Sequence, residues 1–90
     1  MHAIVVRSRL HDFDRATTFL REVNIPRLKQ APGFVGAQWV RLDESTGTST
    51  VIFESEQDVQ AAVEQLRNSP PPADALTIES VELGEVVERI

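Results

Sequence analysis

Cysteine and tyrosine are absent from the chain, methionine and tryptophan occur once each, and there are only two histidines. Without cysteine there can be no disulfide, thiolate metal site, iron–sulfur cluster or cysteine nucleophile, and nothing calls for an oxidising compartment. No apolar run approaches the length that spans a bilayer. The opening "MHAIVVRSRL" lacks the basic lead, long apolar core and small-residue cleavage site of a secretory signal, so a soluble cytoplasmic protein with no membrane partner is expected. Basic residues are the minority, nine against fourteen acidic for a net charge of −5, which opposes a phosphate backbone. With no basic stripe interleaved with aromatics, nucleic acid is not an expected partner. Neither a phosphate-cradling glycine loop nor a Ser-His-Asp set can be argued from spacing.

What is present fits one small domain over residues 1–90. A chain of this size buries only roughly 60 to 65% of the surface it would expose unfolded, so burial against a partner would help it. Basic residues gather early (Arg7, Arg9, Arg15, Arg21, Arg27, Lys29), and Glu79, Glu82, Glu85 and Glu88 crowd the end. These are solvated faces of opposite sign, or surfaces that attract one another within or between subunits.

The β-branched run Ala3 to Val6 predicts a first strand near residues 2 to 9. Asp12 can cap a helix whose apolar positions Phe13, Ala16, Leu20 and Val23 keep helical spacing, with Asp14 at the positive end of the dipole. Pro26 predicts a kink or break before Leu28 resumes the apolar face, and Pro32 and Gly33 end the segment. Phe34 to Leu42 suits a strand, the polar "DESTGTS" from Asp43 to Ser49 a hairpin connection, and Thr50 to Phe53 the returning strand. Ser55 and Asp58 resemble a capping box ahead of Val59, Ala62, Val63 and Leu66, which repeat at helical spacing. "NSPPPADA", Asn68 to Ala75, reads as a stiff connector. Leu76 and Ile78 alternate with polar residues before the phase shifts toward Val81 and Leu83, which predicts a final strand in two pieces with a bulge or bend at Gly84. Residues 84–90 fit a strand or one face of a helix.

The order β-α-β-β-α-β is the α+β, ferredoxin-like arrangement: a four-stranded antiparallel sheet with two helices on one face. With helices on one side only, each strand should alternate apolar with polar. Instead "AIVV", "FVGAQWV" and "VIF" are apolar at consecutive positions. A second face of that kind would exceed the few hundred Å² of apolar patch that monomers tolerate, so a homodimer through the sheet face is expected.

The "PGF" turn at Pro32 to Phe34 and the "FES" step at Phe53 to Ser55, set among a helix, "APGFVGAQWVRL", "VIFESEQDVQAAVEQL" and "VELGEVVERI", give a resemblance to the dimeric α/β-barrel superfamily. Over nearly its whole length the chain is similar to the antibiotic biosynthesis monooxygenase-like group. The resemblance implies two protomers packed sheet to sheet as a dimeric α/β barrel, with a ligand pocket between helices and sheet in each. It also implies a choice among cofactor-independent oxygenases of polycyclic substrates, haem-degrading enzymes and proteins without assigned activity, which fold does not settle. Haem-degrading members share an asparagine on the first strand, a tryptophan ending the third and a histidine in the second helix. Here Arg7 and Ser8 stand in the asparagine region, Phe53 at the tryptophan position, and the second helix has no histidine. Polyketide-type oxygenases often use pocket tyrosines, and this chain has none.

Trp39 is the most specific side chain. Strict alternation puts it on a face with Val35, Ala37 and Arg41, opposite Phe34, Gly36, Gln38, Val40 and Leu42. It fits a core or dimer-interface tryptophan, or one wall of an aromatic pocket in which Arg7 or Arg41 holds an anionic or carbonyl group. Gly36 and Ala37 leave room for either. His2 could line a pocket or act as a base, although a residue beside the N-terminus is more often at a frayed edge. His11, Asp12 and Asp14 could converge on a metal, but Asp12 and Asp14 serve more simply as cap and dipole partners, so no metal and no cofactor are expected. The candidate ligand-binding residues are therefore Trp39, Arg7, Arg41, His2 and Phe53. The leading reading is a homodimer that binds a small apolar or aromatic molecule. The alternatives are a cofactor-free monooxygenase or isomerase of an aromatic or polyketide-like substrate, and a non-catalytic structural or regulatory dimer.

Overall fold

The computed structural model describes residues 1–90, and its strands form one antiparallel sheet in the order β2-β3-β1-β4. Strand β1 (His2–Leu10) runs through the centre between β3 (Thr46–Phe53) and β4 (Leu76–Glu85), and β2 (Phe34–Arg41) is the far edge. All helices lie on one face, which is the ferredoxin-like arrangement. Pairing of Ile4 with Val51, and of Val51 with Ala37, fixes which residues look toward the helices. Ile4, Val51, Phe53 and Val59 are the buried centre, with Val6, Leu28 and Phe34 packed around them.

The first helical run opens at α1 (Phe13–Phe19), where Asp12 Oδ1 accepts the Arg15 N–H at 3.1 Å. It widens into a π-helical turn over Leu20–Asn24 and continues as α2 (Ile25–Lys29). Pro26 therefore neither breaks nor ends the helix. Having no N–H and a ring that crowds the preceding turn, it is accommodated by an extra residue, and the Ile25 N–H bonds back to the Leu20 carbonyl. The extra residue also sets phase. Eight steps of ordinary helix would rotate Leu28 about 80° away from Leu20; the π turn takes much of that rotation back.

The run stops at Gln30, and Gly33 turns the chain with φ +75°, a left-handed value that glycine alone adopts cheaply. Gly33 is required on a second count. A Cβ there would meet the Asp58 carboxylate at 2.0 Å. Asp58 belongs to α3 (Glu56–Asn68), whose cap is Ser55: the Ser55 Oγ accepts the Asp58 N–H at 3.1 Å and donates to Asp58 Oδ2 at 2.8 Å. The carboxylate thus binds the capping hydroxyl, since aspartate is too short to reach back to the backbone as glutamate does.

Four local expectations are corrected. The hairpin is tighter than "DESTGTS": Asp43 Oδ1 accepts the Ser45 N–H at 2.9 Å, the chain turns there, and Thr46 to Ser49 already belong to β3. On β2 a register shift between Phe34 and Gly36 breaks strict alternation. Phe34 consequently pairs with Phe53 on the helix side, as Trp39 does with Ser49, the rings of the two phenylalanines 6.0 Å apart and edge-on at 71°, and Val35 is the unpaired residue of the bulge. On β4 the phase change is real, but the bulge lies opposite Arg7 and Ser8, at Glu79, and Gly84 pairs regularly with Ala3. Residues 86–90 form neither strand nor helix; the Val86 N–H bonds to the Met1 carbonyl, and Arg89 and Ile90 lie over Gly36 and Ile52.

The sheet face away from the helices is divided. Its apolar part, Ala3, Val5, Gly36 and Ile52, sits at one end, and Val5 is 45% exposed. The other end carries Arg7 and Arg9, which the bulged Glu79 meets at 3.9 and 3.3 Å.

Candidate functional site

Between the helices and the sheet lies a cavity of about 370 Å³, within the range of small-molecule sites. Its floor is Ile4, Val6 and Val51 at the centre of the sheet, with Leu10 and Ile78 at one side. Ala16, Leu20 and Leu28 form the roof, and Ala62 and Leu66 of α3 close a flank. The space exists because of small residues in one place. Ser8 pairs with Gly47, Gly47 with Arg41, and Ser49 with Trp39, all on the helix side. That corner of the sheet presents two hydroxymethyl groups and a bare backbone where neighbouring positions present branched side chains. Helix α3 packs most closely on β1 and β3, while the first helical run stands further off.

Trp39 is half-buried at the cavity wall and makes no side-chain hydrogen bond within the chain. Three arginines border the same space. Arg41 is held: its guanidinium stacks on Phe13 at 3.8 Å and donates to the Glu44 carbonyl at 3.3 Å. Arg21, in the π turn, and the half-buried Arg27 make no salt bridge and no side-chain hydrogen bond. Asn24 and Gln65 add neutral polar groups. No aspartate, glutamate or histidine lines the cavity. The one carboxyl held well below its usual range, Asp43, stands outside in the β2–β3 turn; the Ser45 N–H and the Thr46 hydroxyl stabilise its charged form.

Of the five residues singled out from sequence, two meet at the cavity: Trp39 and Arg41. Arg7 does not join them. Its pairing with Thr48 and Ser80 puts it on the opposite face beside Glu79, because odd positions of β1 point away from the helices. Phe53 is fully buried in the core, and His2 pairs beside it at the end of the sheet. His11 is spent on Thr77, 2.7 Å from its Nε2, and no three metal-binding side chains converge. Sequence reading missed Arg21 and Arg27, whose orientation depends on the π turn. It also missed Gly47 and Ser49, which polar composition had assigned to the turn. The available signal was the spacing of Arg27 and Leu28 from Leu20.

No family model matches the chain, and no curated protein matches it in sequence. Solved structures do match. SnoaB, a cofactor-independent oxygenase from Streptomyces nogalater, is 16% identical with a TM-score of 0.75, covering 99% of this chain and 95% of that one. ActVA-Orf6, a monooxygenase of Streptomyces coelicolor in complex with nanaomycin D, is 16% identical with a TM-score of 0.63, covering 99% and 89%. A dimeric ferredoxin-like protein from an uncultured marine organism is 14% identical with a TM-score of 0.62, covering 100% and 98%. The structural neighbours thus include a cofactor-independent oxygenase, a monooxygenase and a dimeric ferredoxin-like protein, and at these identities the likeness is one of fold.

Proposed function

We propose that the chain is a single-domain protomer of a homodimer, joined through the outer sheet face, and that each protomer binds a small apolar or aromatic molecule between helices and sheet. One observation carries the ligand reading: a cavity of about 370 Å³ in a chain with only seven buried residues, walled by aliphatic side chains and by Trp39. So small a core gains from filling that space, and an apolar molecule of matching size does so. The exposed Val5 on the outer sheet face supports a dimer surface there, and one of the structural neighbours is a dimeric ferredoxin-like protein.

The test is a titration followed by Trp39 fluorescence, using nanaomycin D and the dye 8-anilinonaphthalene-1-sulfonate. Saturable quenching at one molecule per protomer, with each probe displacing the other, is the expected result. No response from either probe at about 100 µM, near the middle of the range in which unoptimised small ligands bind, rejects the reading.

The fold likeness to SnoaB and ActVA-Orf6 favours a second reading, cofactor-independent oxygenation or isomerisation of the bound aromatic. In that case the substrate must ionise largely by its own acidity, because no carboxylate or imidazole borders the cavity. Oxygen consumption by the protein with an acidic polycyclic phenol, above the rate without protein, distinguishes catalysis from binding.

A further inference from the structure

We propose that the cavity takes its ligand as an anion: a flat apolar body bearing one negatively charged oxygen, carboxylate or acidic phenolate, set against Arg27 with Arg21 beside the entrance. This rests on the reading of the cavity as a ligand site and specifies the ligand's charge.

The charge distribution is the first argument. Fourteen of the ninety residues are acidic, yet none of the 28 that border the cavity is, whereas three arginines are. In a chain of net charge −5 the cavity lining thus carries positive charge alone, which favours an anion there.

The second argument is that two of these cations have no partner. Of the five arginines outside the cavity, four find carboxylates and Arg89 does not: Arg7 and Arg9 meet Glu79, Arg15 meets Asp74, and Arg67 meets Glu64. Arg21 and Arg27 meet none, and Arg27 is half-buried beside Leu28. Neither guanidinium has an acceptor within the chain, so both are free to take one from a ligand. The planar guanidinium fork suits two oxygens of one carboxylate, or a phenolate with a neighbouring carbonyl. The π turn places both groups, since it carries Arg21 itself and fixes the rotation of the helix that follows.

The third argument is what the walls exclude. With no carboxylate at the cavity there is no counter-charge for a cationic ligand. A neutral ligand could use Asn24, Gln65 or the indole N–H, but it would leave the guanidiniums unpaired.

The experiment compares 2-naphthoate with 2-naphthamide, of the same shape and differing in charge, by calorimetry and Trp39 fluorescence at pH 7.5. The expected result is binding of the acid at least tenfold tighter than the amide, with the acid's advantage shrinking as sodium chloride is raised. Arg27→Gln should remove most of the preference, and Arg27→Lys should keep part of it. Equal affinity of the two probes overturns the anion assignment while leaving the ligand site standing; failure of both to bind, together with failure of nanaomycin D and 8-anilinonaphthalene-1-sulfonate, removes the ligand site itself. A preference that survives in the Arg21→Gln, Arg27→Gln double variant also overturns the assignment. If that variant does not fold, the wild-type comparison of acid, amide and salt decides the question alone.

Discussion

Replacing Gly33 by alanine isolates the junction that hands the first helical run over to β2. Two costs are readable. A residue with a Cβ at φ +75° loses about 1–2 kcal/mol relative to glycine. The new methyl group would also lie 2.0 Å from Asp58 Oδ2, so that carboxylate must move and give up the hydroxyl at 2.8 Å that anchors it to the α3 cap. The residue is part-exposed, so the lost bond counts for about 1 kcal/mol and not the full value of a buried charged one. The sum is about 2–3 kcal/mol, equivalent to a fall of roughly 10–20 °C in Tm for a domain of this size. Scanning calorimetry at fixed protein concentration measures it, fixed because any dimer makes Tm concentration-dependent. The two terms separate in the Asp58→Ala background, where the close contact with the carboxylate is gone and only the backbone cost remains. Coupling between the two substitutions should then be about 1 kcal/mol. Strict additivity, or a Gly33→Ala penalty below about 0.5 kcal/mol, would show that Gly33 is not constrained by Asp58.

Three further outcomes follow from the same geometry. Ser49→Leu puts an apolar group beside Trp39 in the cavity; it should raise the stability of the ligand-free protein by about 1 kcal/mol in urea unfolding and weaken aromatic-probe binding at least tenfold, and retained binding would move the ligand elsewhere. Val5→Glu, on the outer face and 45% exposed, should change protomer stability by less than about 0.5 kcal/mol yet shift sedimentation from dimer to monomer, so an unchanged dimer places the interface on another surface. Asp43 has a folded-state pKa below its ordinary 3.8, so its contribution to the β2–β3 turn is complete above that value and is lost as pH falls through the lower folded value. Asp43→Asn should therefore flatten the acid limb of the stability profile below about pH 4, and carboxyl NMR of Asp43 should show a midpoint lower than that of an exposed aspartate.

Most of the fold was legible because its signals are local. Asp12 and Ser55 cap helices for reasons contained within three residues, and Pro32 with Gly33 can do little but turn the chain. The strands were found from their β-branched content. Three of the errors share one origin: each arises where a residue is added to a regular repeat. The π turn adds one before Pro26, a shift near Val35 adds one to β2, and the bulge at Glu79 adds one to β4. A pattern rule assumes constant phase, and a single extra residue turns every later side chain in the element. The phase change on β4 could be seen in the sequence, but its position could not, because Gly84 is the residue whose chemistry tolerates a bulge and Glu79 is the one whose partners, Arg7 and Arg9, favour it.

The candidate site depends on those same irregularities, which is why it was only half legible. Trp39 drew notice by its chemistry, but which face it shares with Arg41 follows from pairing across Ser49 and Gly47. Those two small residues carried turn composition, and only the tighter bend at Asp43 delivers them to the floor of the cavity. Arg21 and Arg27 stand six positions apart, a spacing that regular helix spreads over different faces. Arg21 borders the cavity from within the π turn and Arg27 from the turn that follows it. An uninterrupted α-helix here would preserve the hydrogen-bond ladder more simply, and the sequence forgoes it at Pro26. What it gains in place is a roof of Leu20 and Leu28, of which Leu28 packs on the core, with two guanidiniums at its margin that find no acceptor within the chain and would gain one from the anionic ligand proposed above.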